Sequence, residues 1–333
     1  MLWHKCESCP FLQVCGGWNE QCSFCGCTRD CSRCSVRCAR RFDAGLWVRD
    51  AGGLGFDDLR WTQQPLPDLP RFIPQVDGHR MRAFDEGLSW PAYAIGLRRV
   101  FSLTTGKLRR AWQERTAREV LRAPDSTKLV LAGYGTDPLI ERFWTNQHRE
   151  RLVEEVASLG FDLVLAPNYS VYGNQPRFEH LLNIKRNALI AARLAEAGAP
   201  AVPNIYWYRR IDLERQLEWI RREQVAAVAV NLQTFRSKTD WTMATEGLRF
   251  LAAELPSGTS VFATGCSRAG RIAFLRELFP ELVLVSQNAQ AYARHGAVMT
   301  PEGRKQTYGR TEDLFFANVR HYAHLMGATG TRA

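Results

Sequence analysis

Short apolar runs alternate with longer amphipathic segments from about residue 91 to the end of the chain. The apolar runs predict strands at 128–134, 162–168, 201–207, 225–231, 260–265 and 282–286. Segments with helical periodicity predict helices at 146–158, 176–197, 212–222, 243–254, 269–278 and 311–326. Because the apolar runs lack the polar alternation of a half-exposed sheet, we expect strands that are buried on both faces, as in parallel sheets covered by helices.

The alternation of strands and helices predicts an α/β fold of the (β/α)8 barrel type, regular or irregular. The six apolar runs are clear strands, and residues 99–104 are a candidate for another. A doubly wound sheet would need a glycine-rich phosphate turn after its first strand, and the sequence Gly-Tyr-Gly at 133–135 is too sparse for that turn. We therefore predict a barrel domain over residues 91–333.

The first 90 residues have a different composition. Residues 1–42 hold nine of the ten cysteines of the chain. Residues 43–90 are rich in proline, glycine and aspartate, which is typical of a connector without regular structure. The sequence therefore predicts a cysteine-rich head, a connector and a barrel domain.

The cysteines of the head are expected to bind metal. They are Cys6, Cys9, Cys15, Cys22, Cys25, Cys27, Cys31, Cys34 and Cys38. Disulfide frameworks belong to secreted domains, whereas this chain starts without an apolar signal segment and has no run long enough to cross a membrane. We therefore expect a cytoplasmic protein, where thiols stay reduced, and an odd number of cysteines also leaves one without a disulfide partner.

Two kinds of metal centre fit the cysteine spacing. Residues 6–9 and 22–25 each form the Cys-x2-Cys turn of tetrahedral zinc sites, and His4 offers a nitrogen ligand. Residues 27–34 have the Cys-x3-Cys-x2-Cys spacing with which radical SAM enzymes bind an iron–sulfur cluster. Both metals take thiolate ligands, so cysteine alone does not decide between them. Zinc is the preferred interpretation, and an iron–sulfur cluster is the alternative.

The charge of the chain points to an anionic partner. The formal net charge is +10, with 44 lysines and arginines against 34 aspartates and glutamates. Arginine supplies most of the positive charge, and its planar guanidinium suits phosphate. We therefore predict a nucleic-acid partner, with DNA preferred over RNA, and no membrane partner.

Polar and aromatic residues follow six successive predicted strands, at the ends where functional residues of barrels gather. They are Asp137, Asn168, Tyr169, Tyr172, Asn204, Tyr206, Trp207, Asn231, Gln233, Arg268, Gln287, Asn288 and Arg294. Amides read the edges of bases, and aromatic rings stack on their faces. The pattern therefore predicts a pocket for a nucleobase.

Parts of this pattern resemble known families. Residues 261–296, which read as a strand, a helix and a second strand followed by Ala-Arg-His-Gly, are similar to the end of the barrel of the tRNA-guanine transglycosylases and their DNA-modifying relatives. Residues 168–172, 183–186 and 202–207 are similar to an uncharacterised bacterial and phage domain family. The first resemblance covers about residues 128–303. It implies a TIM barrel that exchanges bases at an N-glycosidic bond.

The chain departs from the transglycosylases at their two catalytic aspartates. The corresponding strand ends carry Ser-Gln-Asn at 286–288 and Asn168. An amide neither attacks an anomeric carbon nor accepts a proton as a carboxylate does. Asp137 is the carboxylate that closely follows a predicted strand, and we expect it to be the catalytic one.

Three functions stay open at this point. In the first, the protein is a glycosylase or transglycosylase in which Asp137 stabilises the sugar cation or activates water, and Asn168 and Asn288 hold the base. Stacking by the aromatic residues and phosphate contacts from four basic residues would complete this site, and the basic residues are Lys185, Arg186, Arg268 and Arg294. In the second, the barrel binds nucleic acid without catalysis. The third is radical SAM chemistry at a cluster in the head.

Overall fold

The structure, a computed structural model, describes residues 44–76, 90–172, 177–235 and 237–327. The cysteines predicted to bind metal, at positions 6–38, lie outside these residues. None of the helices within the described ranges is long and apolar enough to cross a membrane.

Ten strands form within the described residues. They are β1 (Phe72–Pro74), β2 (Ala92–Gly96), β3 (Lys128–Ala132), β4 (Leu163–Leu165), β5 (Ala201–Val202), β6 (Ala227–Asn231), β7 (Ser260–Thr264), β8 (Leu282–Ser286), β9 (Ala297–Thr300) and β10 (Gly303–Gln306). The last two form an antiparallel hairpin. The first eight run parallel to their neighbours.

Helices follow most of these strands. They are α1 (Ala44–Asp50), α2 (Leu97–Val100), α3 (Ala117–Leu121), α4 (Asp137–Asn146), α5 (Leu152–Ser158), α6 (Arg177–Glu196), α7 (Arg210–Glu223), α8 (Lys238–Glu254), α9 (Ala269–Leu278), α10 (Asn288–Arg294) and α11 (Thr311–Leu325). The predicted α/β class with parallel strands is confirmed.

The first eight strands are arranged in two parallel sheets. Their strand orders are β1-β8-β7-β6 and β2-β3-β4-β5. Isolated parallel bridges join the sheets at both pairs of edges, from Gln75 to Ala94 and from Asn204 to Ala229. Backbone hydrogen bonds of 2.8 Å accompany both bridges. Each sheet therefore meets the other at both of its edge strands.

Apolar side chains from all eight parallel strands pack together in a cluster that contains no helix residue. Its members are Ile73, Ala92, Ala94, Val130, Ala132, Leu163, Leu165, Val202, Ala227, Ala229, Phe262 and Val285. A larger cluster joins the opposite faces of the strands to the helices. Strands covered on both faces explain the unbroken apolar runs in the sequence.

The segment predicted to be a connector contributes to the core. Trp47 of α1 stacks on Trp144 of α4, with ring centroids 6.3 Å apart. Phe72 is fully buried, and β1 pairs with β8 along its length. Proline composition concealed this strand, because Pro74 ends it, Pro70 lies just before it and proline is uncommon inside sheets. A domain boundary at residue 91 therefore divides one packed unit.

Two further elements differ from their predictions. Residues 99–104 contain no strand, and the preceding residues form β2 and α2 instead. The helix predicted at 146–158 is shorter: α4 ends at Asn146, the chain turns over residues 147–151, and α5 covers Leu152–Ser158. Arg151 takes a left-handed conformation there, with φ at 49°.

Candidate functional site

A cavity of about 710 Å³ opens at the carboxyl ends of β1, β2, β3, β6, β7 and β8. Its amide side chains are Gln75, Gln233, Gln287, Asn288 and Gln290. Its hydroxyl side chains are Tyr134, Thr136, Thr264, Ser267 and Ser286. A lining of this kind supplies both donors and acceptors of hydrogen bonds to a polar ligand.

The charge of the cavity lining is entirely positive. Among the described residues, no carboxylate lines the cavity. Four arginines do: Arg98, Arg268, Arg271 and Arg294. Arg271 is held in place, because its guanidinium donates to the Phe235 carbonyl at 2.7 Å and lies 4.0 Å from the centre of the Trp241 ring. Such a lining attracts an anion.

The other three arginines are available for a ligand. The side chains of Arg98, Arg268 and Arg294 are exposed. Within the described part of the chain, none of the three forms an ion pair or a side-chain hydrogen bond. An unpaired guanidinium keeps all five of its N–H donors free to bind an oxyanion.

Two glycines allow the strand ends beside the cavity to approach each other. A Cβ atom on Gly133 would lie 2.3 Å from the Leu165 carbonyl oxygen, and one on Gly265 would lie 2.3 Å from the Gln233 nitrogen. Gly265 also has φ at +71°, which L-residues rarely adopt. A side chain at either position would push neighbouring strand ends apart and reshape the cavity.

Asp137 lies in a half-buried polar cluster at the start of α4. The Tyr172 hydroxyl donates to Asp137 Oδ2 at 2.9 Å. Burial raises the pKa of the Asp137 carboxyl, and the negative charge of Glu141 raises it further, while hydrogen bonds from Tyr172 and Ser170 oppose the shift. A carboxyl whose pKa is raised toward neutrality is suited to proton transfer.

This cluster borders the cavity. Thr136, the residue before Asp137, is part of the cavity lining. Burial raises the pKa of Tyr206 to about 12, and the nearby charge of Asp137 adds to that shift. The Tyr206 ring in turn stacks on Phe235, which lines the cavity, with ring centroids 6.3 Å apart. Asp137 is therefore close to the cavity on the side where β3 ends.

The structure brings some of the predicted site residues together and leaves others apart. Those that line the cavity are Gln233, Arg268, Gln287, Asn288 and Arg294. All follow β6, β7 or β8. The predicted residues that follow β4 and β5 do not line it.

The amides of Asn168, Asn204 and Asn231 are buried. Asn204 accepts from the Tyr134 hydroxyl at 2.8 Å and donates to the Ala166 carbonyl at 2.7 Å. Asn231 accepts from the Gln233 N–H at 3.0 Å and so shapes the loop that reaches the cavity. The side-chain oxygen of Asn168 is buried and has no hydrogen-bond partner among the described residues.

The predicted aromatic residues mostly serve packing. Tyr169 is buried and meets the Trp144 ring edge-on at 5.6 Å. Trp207 stacks on Phe235, with ring centroids 5.9 Å apart, and thereby supports the cavity wall from behind. Tyr206 is buried, and its hydroxyl forms a hydrogen bond of 2.7 Å with Thr234. These rings support the site from outside the cavity lining.

Lys185 and Arg186 do not contact the cavity, contrary to the expectation that they bind phosphate. Both side chains are fully buried, and Lys185 pairs with Asp58. Arg186 binds both carboxylate oxygens of Glu141, at 3.0 and 2.9 Å, and lies 3.9 Å from the centre of the Tyr169 ring. A phosphate contact would require breaking these ion pairs, so we assign both residues to packing.

Several cavity residues were not foreseen from the sequence. Gln75 and Arg98 follow β1 and β2, the two parallel strands that the sequence did not predict. Arg271 lies in the first turn of α9, beyond the residues that directly follow β7. The signal for Arg98 was present in the apolar run of residues 92–96, which precedes it directly.

Cys266, the one cysteine in the described ranges, is unsuited to nucleophilic catalysis. It is almost fully buried, and burial raises the pKa of its thiol to about 11. The thiol is therefore protonated near neutral pH, whereas the thiolate is the nucleophile. Cys266 acts as a small core residue.

The metal prediction concerns residues outside the described ranges. Within those ranges, His, Cys, Asp and Glu side chains form no group of three that could hold a metal ion. We expect the purified protein to contain zinc bound by the cysteines at positions 6–38, because thiolate ligands give zinc sites high affinity. Elemental analysis and a visible spectrum check this prediction. A brown protein with iron and sulfide would support the cluster instead, and a metal-free protein with paired cysteines would contradict both.

Residues 104–266 are similar to a family described as a domain of unknown function, DUF4417. The matched span runs from before β3 to just after β7, so it includes Asp137 and Gln233. It ends before Arg268, Asn288 and Arg294, which complete the cavity. A search of curated proteins gave no match to the chain.

Proposed function

We propose that β1 to β8 form one closed (β/α)8 barrel with its functional site at the carboxyl ends of the strands. Parallel bridges at both pairs of sheet edges support this arrangement. So does the apolar cluster that draws side chains from all eight strands, since a barrel of this size is filled by such layers. The position of the cavity fits, because barrel enzymes carry their active sites at this end.

On this barrel we propose an enzyme that cleaves or exchanges an N-glycosidic bond in nucleic acid, DNA in preference to RNA. One observation carries the proposal. Amides and arginines line the cavity, no carboxylate among the described residues lines it, and the cavity borders Asp137, a carboxyl group with a raised pKa. The cavity volume of about 710 Å³ is in the range of small-molecule sites. A nucleotide unit would enter with its base turned out of the helix.

The cavity lining would recognise the base through hydrogen bonds. Gln233, Gln287 and Asn288 each offer a donor and an acceptor, which is the pairing that amides form with base edges. Phe235 is the aromatic ring in the lining that is held by stacking against Tyr206 and Trp207. That ring would pack against a base face.

Asp137 would act on the sugar. As the bond from C1′ to the base nitrogen breaks, its electron pair leaves with the base and positive charge develops on the sugar. The Asp137 carboxylate would stabilise that charge and accept a proton from the water molecule whose oxygen bonds to C1′. The departing base takes up a proton from solvent, and Asp137 returns the proton it accepted to solvent, so that one water molecule is added across the bond. In an exchange reaction, a nitrogen of the incoming base would replace the water oxygen.

One observation favours binding without catalysis as a second candidate. Asp137 is not part of the cavity lining, and none of the described residues that line the cavity is a carboxylate. A barrel that only binds nucleic acid would need the arginines and amides of the cavity but no catalytic carboxylate. The metal-binding head would then be a second contact with the nucleic acid.

The two candidates differ in a direct assay of base release. The protein is incubated with single-stranded DNA and RNA oligonucleotides, and free bases are separated by chromatography and identified by mass. The proposed enzyme releases a base, or incorporates a labelled free base if it catalyses exchange. Tight binding of the same oligonucleotides with neither release nor incorporation would establish the second candidate.

A further inference from the structure

We propose that the corner between β7 and α9 is a phosphate subsite, formed by Thr264, Ser267, Arg268 and Arg271 with Arg294 from α10. This inference rests on the proposed function and deepens it, because it assigns where the nucleotide's phosphate binds. All five residues line the same cavity. They follow two adjacent strands, since β7 pairs with β8.

The backbone at this corner favours an anion. α9 is ten residues long and begins directly after Arg268, whose side chain does not cap the helix. The first turn of a helix presents N–H groups without intrahelical partners, and the helix dipole adds positive potential there. A Cβ atom on Gly270, in that first turn, would have no heavy atom within 4 Å. The side of the first turn that carries Gly270 therefore faces open space.

A buried hydroxyl at the same corner has no partner. Thr264 is 6% exposed, and its Oγ1 atom accepts or donates no hydrogen bond among the described residues. Burial raises the pKa of Tyr134, and the nearby Thr264 hydroxyl opposes that rise, but the two hydroxyls do not meet hydrogen-bond geometry. The Tyr134 hydroxyl donates to Asn204 instead, at 2.8 Å. An unsatisfied buried hydroxyl costs free energy, which a ligand oxygen would recover.

The arginines provide one fixed contact and two adaptable ones. Arg271 is oriented by its hydrogen bond to the Phe235 carbonyl and by the Trp241 ring. Arg268 is the residue directly before α9, while Arg294 comes from α10. Neither of these two has an ion-pair partner among the described residues. Guanidinium groups bind phosphate oxygens in pairs of parallel hydrogen bonds, so this set matches a phosphate group.

Calorimetric titration tests the subsite without any assay of catalysis. The probes are inorganic phosphate, the four deoxynucleosides and their 5′-monophosphates. The wild type is expected to bind at least one monophosphate about tenfold or more tightly than its nucleoside, because charge-assisted hydrogen bonds each contribute about a factor of ten. The double variant Arg268→Gln/Arg294→Gln is expected to lose this preference. Arg320→Gln, an exposed arginine of α11 without a partner in the described structure, is the matched control.

A second variant keeps every arginine in place. Gly270→Glu adds a carboxylate where the structure has open space, so the fold is retained while the anion is repelled. It is expected to weaken monophosphate binding about tenfold or more and to leave nucleoside binding unchanged. Thermal unfolding of each variant shows whether the fold is intact.

Some outcomes would overturn the subsite. They are equal binding of nucleosides and monophosphates by the wild type, no binding of any probe, or a phosphate preference that survives in both the double variant and Gly270→Glu. These outcomes are separable from failure of the proposed function. Asp137→Asn leaves the subsite intact and keeps the phosphate preference, whereas base release by the wild type tests the chemistry alone.

Discussion

Asp137→Asn is expected to lower base release by about 10²- to 10⁴-fold, the usual contribution of a general base, and to leave oligonucleotide binding nearly unchanged. The amide has the size of the carboxyl group and still accepts the hydrogen bond that Tyr172 donates at 2.9 Å. It carries no negative charge and accepts no proton from water. Rates of base release and binding constants, measured with the same oligonucleotide, check both halves of the prediction.

Asp125→Asn is the matched control. Asp125 is a fully exposed carboxylate in the turn before β3, at the opposite end of the strand from Asp137. Its nearest charged neighbour, Arg118, is 3.8 Å away. The control should release base at the wild-type rate. Full activity of Asp137→Asn would remove this residue from the mechanism, and an equal loss in both variants would point to a general effect of charge.

Asp137→Asn should also raise the free energy of unfolding at neutral pH. Burial raises the pKa of Asp137 above its ordinary value of 3.8, so between 3.8 and the raised pKa the folded protein binds more protons than the unfolded chain. Stability contributed by this group therefore falls as pH rises through that window. The Asn variant lacks this loss. Thermal unfolding across the acidic range measures it, and a gain in stability together with a loss of activity is typical of a functional residue.

Asp212→Ala is expected to destabilise the fold by about 3–5 kcal/mol, the cost of leaving one member of a buried ion pair alone. The Asp212 carboxylate is buried and accepts from the Arg177 guanidinium at 2.8 Å. It also accepts from the backbone N–H groups of Tyr208 and Arg209, at 3.0 and 2.9 Å. The substitution leaves all of these donors unsatisfied. The free energy of unfolding in urea measures the effect.

Glu214 gives a control on the same helix. Glu214 pairs with Arg210 at 2.9 Å, and both side chains are largely exposed. Glu214→Ala should cost less than about 1 kcal/mol, because water screens exposed ion pairs. Comparable losses in the two variants would contradict the assignment of Asp212 as a buried structural carboxylate.

The stability that Asp212 contributes depends on pH with the opposite sign to the contribution of Asp137. Burial acts to raise the pKa of Asp212, but the hydrogen bonds and charge of Arg177 and the two backbone donors outweigh it and lower the pKa overall. A lowered pKa in the folded state gives stability that is present above the unfolded value of 3.8 and is lost as pH falls through the folded value. Asp212→Ala should therefore unfold with less dependence on acid than the wild type.

The sequence predicted β3 to β8 from their apolar runs. Four of these strands, β3, β6, β7 and β8, are five residues long, whereas β4 and β5 have three and two residues. β1 has three residues, the last of them Pro74, so its pattern is weak, and the apolar run of β2 was not recognised as a strand. Both become strands because neighbouring strands supply hydrogen bonds along their length. That support comes from residues distant in sequence, which a local pattern does not contain.

The candidate site was foreseen in part, for a similar reason. The ends of β6, β7 and β8 provide cavity residues, as the position of functional groups in barrels predicts. Lys185 and Arg186 were predicted to contact phosphate. They are buried because Asp58 and Trp47, from a segment more than a hundred residues earlier, close over α6. Contacts between residues so far apart in the chain cannot be predicted from the spacing of neighbouring residues.

The position of β1 determines where this polypeptide can be shortened. β1 pairs with β8 and is bridged to β2, so a fragment that begins at residue 91 leaves backbone groups on two strands without partners. Such unpaired edges promote association between molecules. A fragment that begins at residue 44 dispenses with the nine clustered cysteines and keeps every described contact. Residue 44, rather than 91, is therefore the better starting point for a shortened fragment.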